Sequence, residues 1–218
     1  MKHVFVETNW VVEYGAPEHV RPPKALELVE RAEVGKRRLY LPSICLTESR
    51  HPIRKKFKPR ATSDSLRSYL AWASKRGTLK AGDSEAVRRT LDKYEGTVLA
   101  ELDHLDDRMK WLCKHPAIEV FFLSEKMLAR VVELSLQNLD LKPFDQAILA
   151  AVLVRAQELR DSGAEDVAFC ELDGDLQPWD KDGRPKEPLH TLYADAAVLV
   201  YGDFAMETAA RLQNSPQT

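Results

Sequence analysis

Short apolar runs and longer stretches of helical spacing alternate along this chain. Residues 3–7, HVFVE, form a β-branched and aromatic run that reads as a buried strand. Thr8 or Asn9 is placed to cap a short helix, WVVEY, which Gly15 and Pro17 break. PPKALELVERAEVG opens on prolines, spaces Leu26, Val29 and Ala32 helically, and meets Gly35 past its end. RRLYLPS is a second strand, and Ser43 is placed to cap the helix that holds Thr47 and Glu48. Residues 63–77 and 83–114 read as two further helices, the second of them long. AIEVFFLS is a third strand, after which Ser124 caps EKMLARVVELSLQ. Pro143 opens the strongly apolar helix FDQAILAAVLVRAQELR, which Gly163 closes. DVAFCELDGD and AAVLVYGDF are a fourth and a fifth strand, separated by the polar loop GDLQPWDKDGRPKEP.

Strands that alternate with helices predict an α/β fold, a parallel sheet flanked by helices on both faces. Residues 52–116 stand out as a helical insertion, residues 1–206 as one domain and residues 207–218 as a C-terminal tail. The chain has 218 residues, 44% of them hydrophobic, enough for a substantial core. Its net charge is -2, so any binding to nucleic acid must come from a local basic patch. One such patch exists: RHPIRKKFKPR, residues 50–60, carries six Lys or Arg and no acid. Cys45, Cys113 and Cys170 are odd in number and widely spaced, which argues against a disulfide framework or a zinc knuckle and for a reducing, cytoplasmic setting. Glu7 interrupts the first apolar run, so no secretory signal is expected. No run of ~18 apolar residues is present, so no membrane association is expected either.

Five acids fall in four places at the ends of the predicted elements. Glu7 ends the first strand, Glu48 lies early in the helix after the second, Asp145 lies in the first turn of the apolar helix, and Asp173 with Asp175 follows the fourth strand. In open α/β sheets, residues just after strands or early in the following helices collect at one edge, where ligands bind. Each acid alone has a plainer role as a strand end, a helix-terminus charge or a turn residue. Together, packed carboxylates must take up protons or recruit a cation. Hard oxygen donors without His or Cys select Mg²⁺ or Mn²⁺, and such a cation suits phosphodiester hydrolysis.

The stretches VFVETNWVVEY, LPSICLTESR, LKPFDQAILAAVL and FCELDGDLQP, in that order and in those elements, resemble the PIN domain family, a small three-layer α/β metal-dependent nuclease fold. The resemblance covers about two thirds of the chain. It implies Glu7, Glu48, Asp145 and Asp173 as catalytic acids, with Glu7, Asp145, Asp173 and Asp175 as metal ligands. Thr8, Asn9 and Glu171 stand behind them as supporting residues. Two positions depart from the family pattern. Glu7 stands where the family has Asp, one methylene longer, and Glu171 stands where the family has Thr or Ser. In a strand Glu171 shares a face with Asp173, adding either a ligand or repulsion.

Arg50, Arg54, Lys55 and Lys56 begin two residues after Glu48 and are placed to track a phosphate backbone. Phe57, Tyr69 and Trp72 are interleaved nearby, either to stack on unpaired bases or, the commoner role for Tyr69 and Trp72, to face the helical core. The resemblance implies a Mg²⁺- or Mn²⁺-dependent endoribonuclease, in many family members the toxin of a toxin–antitoxin pair, whose antitoxin here must be a separate chain. RNA is the expected partner; the sequence does not separate RNA from DNA, and it leaves a homodimer open. The alternative is a catalytically weak or inactive PIN-like module that binds RNA or scaffolds a partner. A phospho-relay receiver also gathers acids at strand ends, but a suitably late strand-terminal Lys is missing and the helical insertion is foreign to that fold.

Overall fold

The computed structural model describes residues 1–137, 139–172 and 174–206. The chain runs β1 (Lys2–Val6), α1 (Thr8–Tyr14), α2 (Pro23–Glu33), β2 (Arg37–Pro42), α3 (Ser43–Lys56), α4 (Pro59–Lys75), α5 (Ala81–Asp103), α6 (Leu105–Lys114), β3 (Ile118–Phe121), α7 (Glu125–Ser135), α8 (Pro143–Asp161), β4 (Val167–Cys170), α9 (Leu189–Asp195) and β5 (Leu199–Tyr201). The five strands form one sheet, all parallel, in the order β3-β2-β1-β4-β5. The expected α/β class with a parallel sheet is therefore what the chain adopts.

The strand order has a consequence for the site. From β1 the chain steps outward to β2 and β3, then crosses back over β1 to β4 and β5. Right-handed crossovers in opposite directions put helices on opposite faces. Arg155 of α8 lies over the Tyr40 ring of β2, and Tyr193 of α9 packs near Phe169 of β4, so α8 and α9 share one face. Every residue of β4 is buried, as a sheet covered on both sides requires. The direction of winding reverses between β1 and β4, and a crevice opens there at the carboxyl ends of the strands.

Several local expectations are corrected. Neither Thr8 nor Asn9 caps α1: Glu7 does, its side chain accepting from the Asn9 N–H. Ser43 is the first residue of α3 rather than its cap, because the helix begins directly after Pro42. The helix expected over residues 83–114 is two, α5 and α6, which meet at His104. Helix α9 carries no cap signal and was not anticipated. Ser124 caps α7 as expected, accepting from the Met127 N–H. Residues 52–116, expected as a helical insertion, hold the end of α3 with α4, α5 and α6. The tail, residues 207–218, lies outside the described residues. No helix among those described is long and apolar enough to cross a membrane.

The helices between β2 and β3 are tied to the sheet layer through α1. Trp10 is fully buried and donates from Nε1 to the Ala25 carbonyl of α2 at 3.2 Å. Its ring stacks on Tyr14, centroids 5.2 Å apart, and Tyr14 stacks on Trp111 of α6 at 6.1 Å. Gly15 closes α1 where a larger residue has no room. A Cβ there would come within 2.8 Å of Ile53 in α3 and 3.2 Å of Leu105 in α6.

Candidate functional site

The crevice between β1 and β4 is a cleft of about 270 Å³ lined by Glu7, Thr8, Asn9, Val12, Glu48, Pro52, Lys56, Asp145, Glu171 and Leu176. Four carboxylates from four separate segments meet there. Val6 and Cys170 are register partners, so Glu7 and Glu171 each follow the last pair of the β1–β4 ladder. Adjacent strands lie about 4.8 Å apart, and alternation puts both residues on the side of Phe5 and Phe169, the face that α8 covers. Asp145 arrives from the first turn of α8. Glu7 and Glu171 are 3% and 0% exposed. Glu7 Oε1, Asp145 Oδ2 and Glu171 Oε2 are shielded from solvent.

Two of the acids are oriented by their neighbours. Glu7 Oε2 accepts from the Asn9 backbone N–H at 2.6 Å, which fixes that oxygen at the start of α1. The Thr8 hydroxyl donates to Glu48 Oε2, a short bond that joins α1 to α3. The polar run after β1 therefore both caps a helix and lines the cleft. On α3, Glu48, Pro52 and Lys56 follow at intervals of four, so they share one face, and that face borders the cleft. Lys56 Nζ lies 2.5 Å from Glu13 Oε1.

The other expected site residues are placed as follows. Asp173 lies outside the described residues. Asp175 is not among the residues that line the cleft; its carboxylate lies 3.7 Å from Lys142 Nζ. Of the four expected phosphate-binding residues, Lys56 alone lines the cleft. Arg50 points toward Asp106 of α6 at 3.3 Å, and Arg54 and Lys55 are exposed elsewhere on α3. Glu171, expected as a supporting residue, lines the cleft directly. Phe57 is partly buried against the core, whereas Tyr69 and Trp72 are 54% and 52% exposed, opposite to the commoner expectation for them. Val12, Pro52 and Leu176, the apolar part of the wall, were not anticipated. Leu176 is held from behind by the Tyr193 hydroxyl, which donates to its carbonyl at 3.1 Å.

The field of the acids reaches the groups packed behind them. Burial pushes the Cys45 thiol well above its ordinary 9.0, and the charges of Glu7 and Glu48 push it further, against donors from Thr8. Burial also raises Tyr193 well above 10.0, with Glu171 and then Glu7 adding to it. Burial raises Cys170 to about 12. A raised pKa means that the folded state holds the proton more tightly. Its stability contribution is whole below the unfolded value and is lost as pH rises through the folded one. Stability is therefore expected to decline above about pH 9, where unfolded thiols ionise, and further above about pH 10, where unfolded tyrosine does. A thiol reagent at pH 8 should modify Cys113, which is exposed, quickly and the two buried cysteines only on unfolding. Three equally fast thiols in the native protein would contradict this packing.

Carboxylates of this kind offer a hard, anionic oxygen donor set that fits Mg²⁺ or Mn²⁺. Among the described residues, no three His, Cys, Asp or Glu side chains are already grouped tightly enough to hold a metal ion. Mg²⁺ keeps several of its waters and takes one or two carboxylates, so it needs no closed protein cage. The donor chemistry and the volume of the cleft suit a hydrated cation beside a phosphate. No protein-family model matches the chain, nor does any curated protein or solved structure.

Proposed function

We propose that the protein is a Mg²⁺- or Mn²⁺-dependent nuclease that hydrolyses phosphodiester bonds, with RNA as the substrate. The observation that supports this reading is the meeting of Glu7, Glu48, Asp145 and Glu171 in one cleft that Lys56 borders. Glu7, Asp145 and Glu171 would hold the cation, and the PIN resemblance adds Asp173 to them. The bound cation supplies Lewis acidity toward phosphoryl oxygens and makes water nucleophilic near neutral pH. Glu48, held by Thr8, is the group positioned to accept a proton from the attacking water. Lys56 meets the phosphate, and exchanging its Glu13 partner for that phosphate keeps the ammonium paired. Val12 and Leu176 limit the water around the acids, which strengthens every charge interaction within the cleft. In the toxin setting that the resemblance implies, an antitoxin on a second chain would close this cleft.

The test is cleavage of a labelled single-stranded RNA pool with Mg²⁺, Mn²⁺ or EDTA. Metal-dependent cleavage is expected, absent in EDTA and reduced by roughly a hundredfold or more in Glu48→Gln. A second reading, a non-catalytic binding module, is favoured by one observation: Glu7 and Glu48 each already commit an oxygen, to the α1 cap and to Thr8. RNA binding without cleavage under either metal would select that reading.

A further inference from the structure

We infer that the basic surface beginning at Lys56 continues along α4 as a track for single-stranded nucleic acid, on which Tyr69 and Trp72 stack unpaired bases. The inference rests on the phosphodiester reading of the cleft, because it supplies the polymer that the cleft would act on.

Charge is strongly segregated in this chain. Residues 50–80 hold ten Lys or Arg and one acid, Asp64, a net of +9 in a protein whose total is -2. The stretch starts on α3 beside the cleft and runs through α4. Among the described residues, Arg54, Lys55, Lys58, Lys75, Arg76 and Lys80 have no carboxylate within 4.0 Å. A polyanion is the partner that such a surface complements.

Helix α4 separates its packing face from a second face. Ser63, Leu70 and Ala73 are buried, and Arg67 ties the helix to Asp92 and Glu95 of α5 at 2.6 and 2.8 Å. The core packing is thus complete without Tyr69 and Trp72, which are both about half exposed. Their rings lie 5.9 Å apart, tilted by 33°, and the Arg76 guanidinium sits 5.9 Å from the Trp72 ring. Two open aromatic faces beside unpaired cations are the parts of a single-strand stacking platform, since a base presents its flat face only when it is out of a duplex. Helix α4 is ~25 Å long at 1.5 Å per residue, so the track extends well past one phosphate at the cleft.

The test measures binding in EDTA, where no metal-dependent cleavage occurs. The probes are a fluorescent oligouridylate, its DNA counterpart and a blunt RNA duplex. The wild type is expected to bind the single strands more tightly than the duplex, with affinity that falls as salt rises. Tyr69→Ala and Trp72→Ala should each raise Kd roughly 5- to 100-fold, with the melting temperature unchanged. Lys75→Gln with Arg76→Gln should flatten the salt dependence, by roughly 0.7 in log–log slope for each phosphate of the single strand that the variant no longer neutralises. Unchanged affinity in the Tyr69→Ala, Trp72→Ala double variant would overturn the proposal, as would equal binding of duplex and single strand. Loss of self-association in that variant at unchanged affinity would assign the face to a protein partner and likewise overturn it. The two readings fail separately. Single-strand binding lost with Trp72, in a protein that cleaves nothing, would sustain the track and sink the nuclease. Metal-dependent cleavage with wild-type KM in Trp72→Ala would do the reverse.

Discussion

Asp145→Asn, melted in EDTA, is expected to be at least as stable as the wild type, and in excess Mn²⁺ to gain almost nothing. Removal of a polar group near a buried core usually costs stability. Here the direction reverses, because the amide keeps the volume of the carboxylate and removes one of four like charges that line the same cleft. For the wild type, a cation at a hundredfold excess over its Kd adds about 2.7 kcal/mol. In a chain of this size, that corresponds to a rise of about 5–10 °C in Tm. The variant should lose most of this rise, and its cleavage should fall by more than the 10- to 100-fold that loss of a merely supporting group costs. The two readouts are independent, so the cation site can be judged even if no suitable RNA is in hand. A variant that melts lower in EDTA and keeps the full metal-induced rise would show that Asp145 is a helix-terminus charge and not part of a cation site.

Gly15→Val should destabilise the protein by about 2–3 kcal/mol through overpacking, a fall of roughly 5–10 °C in Tm. The backbone at Gly15 is ordinary, with φ -76°, so the effect is purely steric. The first added carbon already lies 2.8 Å from Ile53 Cδ1, 3.0 Å from the Val11 carbonyl and 3.2 Å from Leu105 Cδ1, and Ile53 and Leu105 are 0% and 1% exposed. Valine adds two more methyl groups to that space. Helices α1 and α3 must then part, and both supply cleft residues: Thr8 and Val12 from α1, Glu48 and Lys56 from α3, with the Thr8 to Glu48 hydrogen bond spanning the two. The metal-induced rise in Tm should therefore shrink in Gly15→Val as well, although no cleft residue is changed. A Tm within one degree of the wild type would show that Ile53 and Leu105 have room to move.

The element order is legible because the strands are short apolar runs of β-branched or aromatic residues and α2 and α8 are bounded by Pro and Gly, whereas α5 carries no stop signal at His104 and so reads as continuous with α6. The cap of α1 was misread because Glu is an uncommon N-cap. Its longer side chain reaches the Asn9 N–H only when the backbone at Glu7 is extended, and the extension comes from its place at the end of β1. Helix α9 is hard to read because it is only seven residues long, held by the burial of Leu189, Leu192 and Tyr193 and by the Glu187 carboxylate, which accepts from the Thr191 N–H. At the site, helical spacing narrows the basic residues of α3 to two. Lys55 and Lys56 lie seven and eight residues after Glu48 on one helix and so share its face, whereas Arg54 does not, and of the two it is Lys56 that lines the cleft. Glu171 reads as a supporting residue because it stands where the PIN family has Thr or Ser; its place beside Glu7 is set by register, which depends on β1 and β4 pairing over most of the chain.

That pairing has a consequence for synthesis. Glu7 and Glu48 leave a ribosome more than a hundred residues before β4 and Glu171. Parallel pairing of β4 onto β1 closes a very long loop, the kind of contact that forms late. Until it forms, the early acids face no opposite wall and no N-terminal fragment holds the complete cleft. Whatever chemistry the cleft performs is withheld from the nascent protein until β4 has been made and has paired with β1.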